Sequence, residues 1–178
     1  MEYPKYKKVV FCTDFSENAD YAFEFAYDFA KRDEGLLCIL YVIPDNPHRA
    51  YAEGVIPSEI LEKVDKEFEA DLANNYREHY VEKIENGVPY EIITKSGKEH
   101  DEILRFAEQQ EADLIVMGTH GRTGVEHVLF GSIAKKVLRK SPVPVFVVPS
   151  KRRAEFPSTI YVYRGEEQRF VEIPPKEG

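Results

Sequence analysis

The residues best able to do chemistry in this chain are four glycines and a serine in the stretch MGTHGRTGVEHVLFGS, positions 117 to 132. Gly118 and Gly121 are separated by two residues, Gly121 and Gly131 by nine, with Gly124 inside the longer gap and Ser132 directly after Gly131. Glycine lacks a Cβ and accepts positive φ, so main chain built from it can approach a bound group closely and expose its N–H groups. Gly131-Ser132 stands where a helical pattern begins. A helix N-terminus adds unpaired N–H groups and about half a positive charge. Together these suit an anion, most naturally phosphate, with the Ser132 hydroxyl as a further donor. The spacing is neither GxxxxGK[ST] nor GxGxxG, which excludes the P-loop and the dinucleotide fingerprint. Taken alone, Gly118 and Gly121 could equally end a strand and make a turn.

The surrounding elements must hold this segment in place. Residues 9–14 form a short apolar, β-rich run, and Ser16 is a good N-cap for the helical pattern that follows, with Gly35 as its expected C-cap. In that helix Ala19, Ala22, Phe23, Ala26, Phe29 and Ala30 recur on one face. Residues 36–43 are continuously apolar, as in a strand covered on both sides. Pro44, Pro47 and Pro57 bracket a loop that is long for an ordinary connection. A helix is expected from Ser58 to Asn86, with Ile60, Leu61, Val64, Phe68, Leu72, Tyr76, Tyr80 and Ile84 as its inward stripe. A third strand (88–97), a third helix (98–112), a fourth strand (113–118), a helix from Ser132 and a fifth strand (143–149) complete the pattern. Strands alternating with helices predict an α/β fold with a parallel sheet and helices on both faces. In such sheets ligands bind outside the carboxyl ends of the strands, where the glycine segment lies. Residues 150–178 change character: a basic linker, then two short strand patterns around Arg164-Gly165-Glu166 that read as a C-terminal β-hairpin extension beyond a 1–149 domain.

Composition narrows the function. The chain has 178 residues and a net charge of −8, from 32 acids and 24 bases. So acidic a chain is a poor generic partner for nucleic acid or for anionic lipid. No apolar run is long enough to span a membrane, and the N-terminus lacks a signal-peptide core. Cys12 and Cys38 read as reduced, buried residues of a cytoplasmic protein.

Three features taken together are specific: Gly-x2-Gly-x9-Gly-Ser after the fourth strand, TDFSENA closing the first strand, and SPVPVFVVP as the last strand. On these the chain resembles the universal stress protein family, in its ATP-binding branch, over roughly residues 5–149. The resemblance implies a Rossmann-like, five-stranded parallel sheet in the order 3-2-1-4-5, with an adenine nucleotide across its carboxyl edge. By carry-over, Gly118, Gly121, Gly131 and Ser132 bind phosphates and nearby ribose, and Met117 and His120 line the same loop. Thr13 and Asp14 reach adenine or ribose, and Val42 meets the adenine through packing or its main chain. The implied cofactor is ATP, ADP or AMP, with or without Mg²⁺. Cys12 stands where many members carry proline. The resemblance also implies a homodimer through the last strand, residues 143–148.

The remaining polar residues are weaker. Arg122 could reach a triphosphate or stand in solvent. His48, His79, His100 and His127 show no metal-ligand spacing and read as solvated. No catalytic residue emerges, and no second carboxylate is evident at the cleft beside Asp14. The expectation is an ATP-binding regulatory or stress-response protein. A slow Mg²⁺-dependent ATPase or phosphotransferase, and a protein-interaction module with an incidental nucleotide site, stand as alternatives.

Overall fold

The structure, a computed structural model, describes residues 5–45, 55–119 and 131–149, together with the main chain of two strands at 159–164 and 167–172. Strands β1 (Lys8–Thr13), β2 (Leu36–Pro44), β3 (Tyr90–Gly97), β4 (Leu114–Gly118) and β5 (Val145–Val148) alternate with helices α1 (Glu17–Arg32), α2 (Ser58–His79), α3 (Glu99–Gln109) and α4 (Ser132–Lys140). The five strands form one sheet, ordered β3-β2-β1-β4-β5, and every neighbouring pair is parallel. This is the α/β architecture and strand order expected. Strands β6 (Thr159–Arg164) and β7 (Glu167–Glu172) pair with each other, antiparallel, from Thr159 opposite Glu172 to Arg164 opposite Glu167.

Side-chain alternation divides β1 between two cores. Val9 and Phe11 join Ala22, Phe23 and Ala26 of α1 together with Tyr76 and Tyr80. Val10 and Cys12 join Leu40, Val42, Ile103, Met117 and Val137 on the other side. The Phe11 ring meets Phe23 and Tyr80 edge-on, with centroids 5.5 Å and 5.2 Å away. Such pairs contribute about 0.5–1.5 kcal/mol each beyond their burial.

Helix α1 starts as its sequence predicts: Ser16 Oγ accepts from Ala19 N at 3.2 Å, and Glu17 and Asp20 lie in the first turn. Its end differs from expectation. Asp33 is the C-cap and Glu34 takes the left-handed conformation (φ 51°). Gly35 serves a different need, because a Cβ there would stand 2.4 Å from the Tyr6 carbonyl oxygen.

The second helix is shorter than its stripe suggests. It ends at His79, Tyr80 turns to φ −131°, and a 3-10 turn follows at Val81–Lys83. The break sends the Tyr80 ring fully into the core, where its hydroxyl lies 2.5 Å from Thr13 Oγ1. Burial of that ring outweighs continuation of the helix. At the other end, Ile60, Val64 and Phe68 were expected inside but are 53%, 54% and 43% exposed. Helix α2 joins the core only through its last turns, where Leu72 and Tyr76 pack beside β2.

Candidate functional site

A cleft of about 420 Å³ opens at the carboxyl ends of β1, β2 and β4. Leu40, Val42, Ile103 and Met117 give it apolar walls, Asp14 and Glu99 add carboxylates, and Gly118, Thr119, Gly131 and Ser132 close the far side. Its volume lies in the range of small-ligand sites.

The junction after β1 is held by its own polar groups. Asp14 Oδ1 accepts from Ser16 Oγ at 2.6 Å and from Ser16 N at 3.2 Å. Thr13 Oγ1 accepts from Phe15 N at 2.8 Å and shares a hydrogen bond with Tyr80. The Thr13 hydroxyl is therefore directed to the core on the opposite face of the sheet. Phe15 takes a left-handed φ of 58°, a conformation costly for a bulky residue. Its ring is held by Tyr41, Tyr76 and Tyr80, at centroid distances of 5.0 Å, 5.1 Å and 5.9 Å.

The two described glycines of the segment have different causes. A Cβ on Gly118 would lie 2.7 Å from Asn18 Oδ1 and 2.9 Å from its Cγ. Asn18 cannot easily retreat: its Nδ2 donates to the Val148 carbonyl at 3.2 Å, and its Oδ1 accepts from Thr119 Oγ1 at 3.3 Å. Packing against α1 therefore suffices to demand Gly118. Gly131 is the N-cap of α4, and its N–H is spent on the Thr119 carbonyl at 2.7 Å, which closes the segment between them. The first intrahelical bond runs from Lys135 N to the Gly131 carbonyl. The N–H groups of Ser132, Ile133 and Ala134 precede it and have no partner in the helix. These three residues line the cleft. Helix α4 carries no side-chain cap and no acid in its first turn, and Arg139 and Lys140 close its last. No acid of its own first turn therefore answers its N-terminal field.

Of the predicted site residues, Thr13, Asp14, Val42, Met117, Gly118, Gly131 and Ser132 all line this one cleft. His120, Gly121 and Arg122 lie outside the described residues. Glu99 was missed: it is a second carboxylate at the cleft, where none was evident in sequence. Its only signal was its place directly after the third strand, where the first helical turn reaches the same sheet edge. Burial holds the Cys12 thiol far above its ordinary range, at about 12, so it is a wall of the cleft rather than a nucleophile. Among the described residues no three His, Cys, Asp or Glu side chains are grouped to hold a metal.

Two histidines expected in solvent are not there. His100 is 2% exposed and its Nδ1 lacks a hydrogen-bond partner among the described residues. His79 is half-buried, with Nδ1 2.8 Å from Asp20 Oδ1.

Residues 5–149 match the universal stress protein family. The chain belongs to that family. It is 33% identical over 156 residues to universal stress protein MJ0577 of Methanocaldococcus jannaschii, an alignment that covers 82% of this chain and 96% of that one. The solved structure of MJ0577 superposes with a TM-score of 0.64 at 30% identity, covering 83% and 99% of the two chains. The fold is shared with a universal stress protein in complex with cAMP (TM-score 0.53, 23% identity, 82% and 98% covered). It is shared too with the Archaeoglobus fulgidus universal stress protein in complex with dAMP (TM-score 0.51, 22% identity, 82% and 99% covered). No helix among the described residues is long and apolar enough to cross a membrane.

Proposed function

We propose that this universal stress protein binds an adenine nucleotide, ATP, ADP or AMP, in the cleft between β1, β2 and β4, and acts as a cytoplasmic regulatory protein. One observation carries the reading. The N–H groups that open α4, without a partner in the helix, converge with Gly118, Asp14 and an apolar wall on one cavity of ligand size. Phosphate would lie on the first turn of α4. The base would lie against Val42, Leu40 and Met117, and Asp14 is placed for the ribose hydroxyls. Thr13 contributes main chain there, since its hydroxyl is engaged by Tyr80. His120, Gly121 and Arg122 complete the phosphate side on this reading. Two fold neighbours were solved with adenine monophosphates, which is compatible with the choice of base.

Equilibrium titration of ATP, ADP and AMP, with and without Mg²⁺, tests the reading. Wild type is expected to bind at least one of them in the micromolar range, and Gly131→Val to lose at least tenfold. Absence of affinity up to millimolar nucleotide would remove the proposal. We further propose that residues 1–149 bind the nucleotide, residues 150–178 form a separate extension, and two copies pair along β5. Phe146 is 37% exposed on that edge strand. Mass measured in solution for the full chain, for residues 1–149 and for Phe146→Glu checks this. A monomeric full chain would end the dimer assignment.

A further inference from the structure

Helix α3 begins with three acids in its first turn, Glu99, Asp101 and Glu102. Two of them are engaged on the protein. Asp101 lies 3.4 Å from Lys98 Nζ and 3.3 Å from His100 Nε2, and Glu102 pairs with Arg105. Glu99 makes no hydrogen bond or ion pair among the described residues, and it is the one that lines the cleft, half-buried. An acid in a first turn complements the helix dipole wherever it points. That accounts for a charge at this end of α3 and not for one turned into a cavity.

Its place within the cleft follows from the sheet. The end of β3 pairs with the end of β2, Gly97 opposite Pro44, so Glu99 enters from the β2–β3 side. One turn further along α3, Ile103 packs in the same cluster as Leu40, Val42 and Met117. The phosphate-binding turn of α4 follows β4, separated from β2 by β1, about 10 Å across at ordinary strand spacing. Asp14 ends β1, between the two sides. Glu99 therefore belongs to the apolar end that suits a flat base, and Asp14 to the middle.

We propose that Glu99 is a specificity residue that accepts a hydrogen bond from the exocyclic 6-amino group of the bound purine. This rests on the nucleotide reading given above. An ionised carboxylate can only accept. The 6-amino group of adenine donates to it, whereas the 6-oxo group of hypoxanthine or guanine places one acceptor against another. A hydrogen bond to a charged group that is lost costs about tenfold or more in affinity.

The test is equilibrium binding of AMP, IMP and GMP to the full chain, as wild type, Glu99→Gln and Glu99→Ala, with thermal unfolding as the folding control. Wild type should prefer AMP over IMP by about tenfold or more. Glu99→Ala should weaken AMP by a similar factor and leave IMP nearly unchanged, so that the preference collapses. Glu99→Gln keeps the size of the side chain and can turn its amide to donate. It should therefore narrow the preference by improving IMP. Three results overturn the inference: an AMP-to-IMP ratio that neither substitution moves, equal losses of AMP and IMP, which would place Glu99 on the ribose, and a wild-type preference for GMP, which would place it on the N1 and N2 donors of guanine. Failure of wild type to bind any of the three while binding ATP also overturns it. Failure to bind any nucleotide, ATP included, removes the underlying reading instead.

Discussion

Two hollows in this molecule have nearly the same size and differ in their polar groups. The cleft at the carboxyl ends measures about 420 Å³, and the hollow between α2 and β3 about 470 Å³. The first brings together main-chain N–H groups of a helix start, two carboxylates and an apolar wall. The second is walled mainly by Ile43, Phe68, Leu72, Tyr76 and Ile92, and Asp65 and Glu69 are its charged members. Apolar burial is non-directional, so the α2 hollow does not specify an orientation for anything placed in it. Convergent polar groups do specify one, and the carboxyl-end cleft is therefore the candidate site. The backbone differs in the same sense. The cleft is bordered by a left-handed Phe15 and by an asparagine wedged against a glycine, and the exposed part of α2 is regular helix.

The largest effect is expected at Gly118. Gly118→Ala pushes a methyl group into Asn18, and overpacking of this kind costs about 1–3 kcal/mol. Denaturant unfolding should show a loss near the top of that range, because Asn18 is tied to both Val148 and Thr119. A change below about 0.5 kcal/mol, within the scatter of surface substitutions, would mean that Asn18 moves aside easily. Tyr80→Phe should come next. It removes the bond to Thr13 and leaves the ring in place, for a loss of about 1–2 kcal/mol. Because that bond fixes the end of β1, nucleotide affinity should fall with it.

A pH titration of stability reads the buried His100. Burial, reinforced by Lys136, Lys98 and Lys140 and opposed by Asp101, holds the His100 imidazole below its ordinary value of 6.5. The unfolded chain then takes up this proton at a higher pH than the folded chain does, so stability falls as the pH drops through 6.5 towards the folded value. His100→Gln should flatten that part of the profile, read as unfolding midpoints between pH 7.5 and 5. The smallest effect is expected on the α2 face, where Val64→Ser, at a position 54% exposed, should change stability by no more than about 0.5 kcal/mol. A loss of several times that amount at high protein concentration, absent on dilution, would show the face to be covered by a second copy.

The order of strands and helices was legible because each element carries a single period, and a sheet covered on both faces reads as continuous apolar runs. Part of the candidate site was legible for the same reason: Asp14, Gly118 and Ser132 stand at the ends of strands or the start of a helix, where a parallel sheet assembles its ligands, whereas Thr13 and Val42 followed only from the resemblance to the family. The failures share a cause. The stripe on α2 has the same period whether or not anything covers it, so Ile60, Val64 and Phe68 read as core. Tyr80 fits the helical period too, and only the pocket among Phe11, Phe23 and Thr13 pulls it out of the helix. Glu99 and His100 are ordinary polar residues at a helix start until the fold places one in the cleft and buries the other.

By itself the sequence determined the alternation of elements, the cap at Ser16, the helix start at Gly131-Ser132, and the chemistry available at the sheet edge, since these depend on neighbours a few residues apart. Only the tertiary structure decided why Gly118 must be glycine, which hydroxyl Thr13 holds and which carboxylates face the cleft. Those depend on contacts between residues dozens to more than a hundred positions apart, such as Thr13 with Tyr80 and Asn18 with Val148, which no local period encodes.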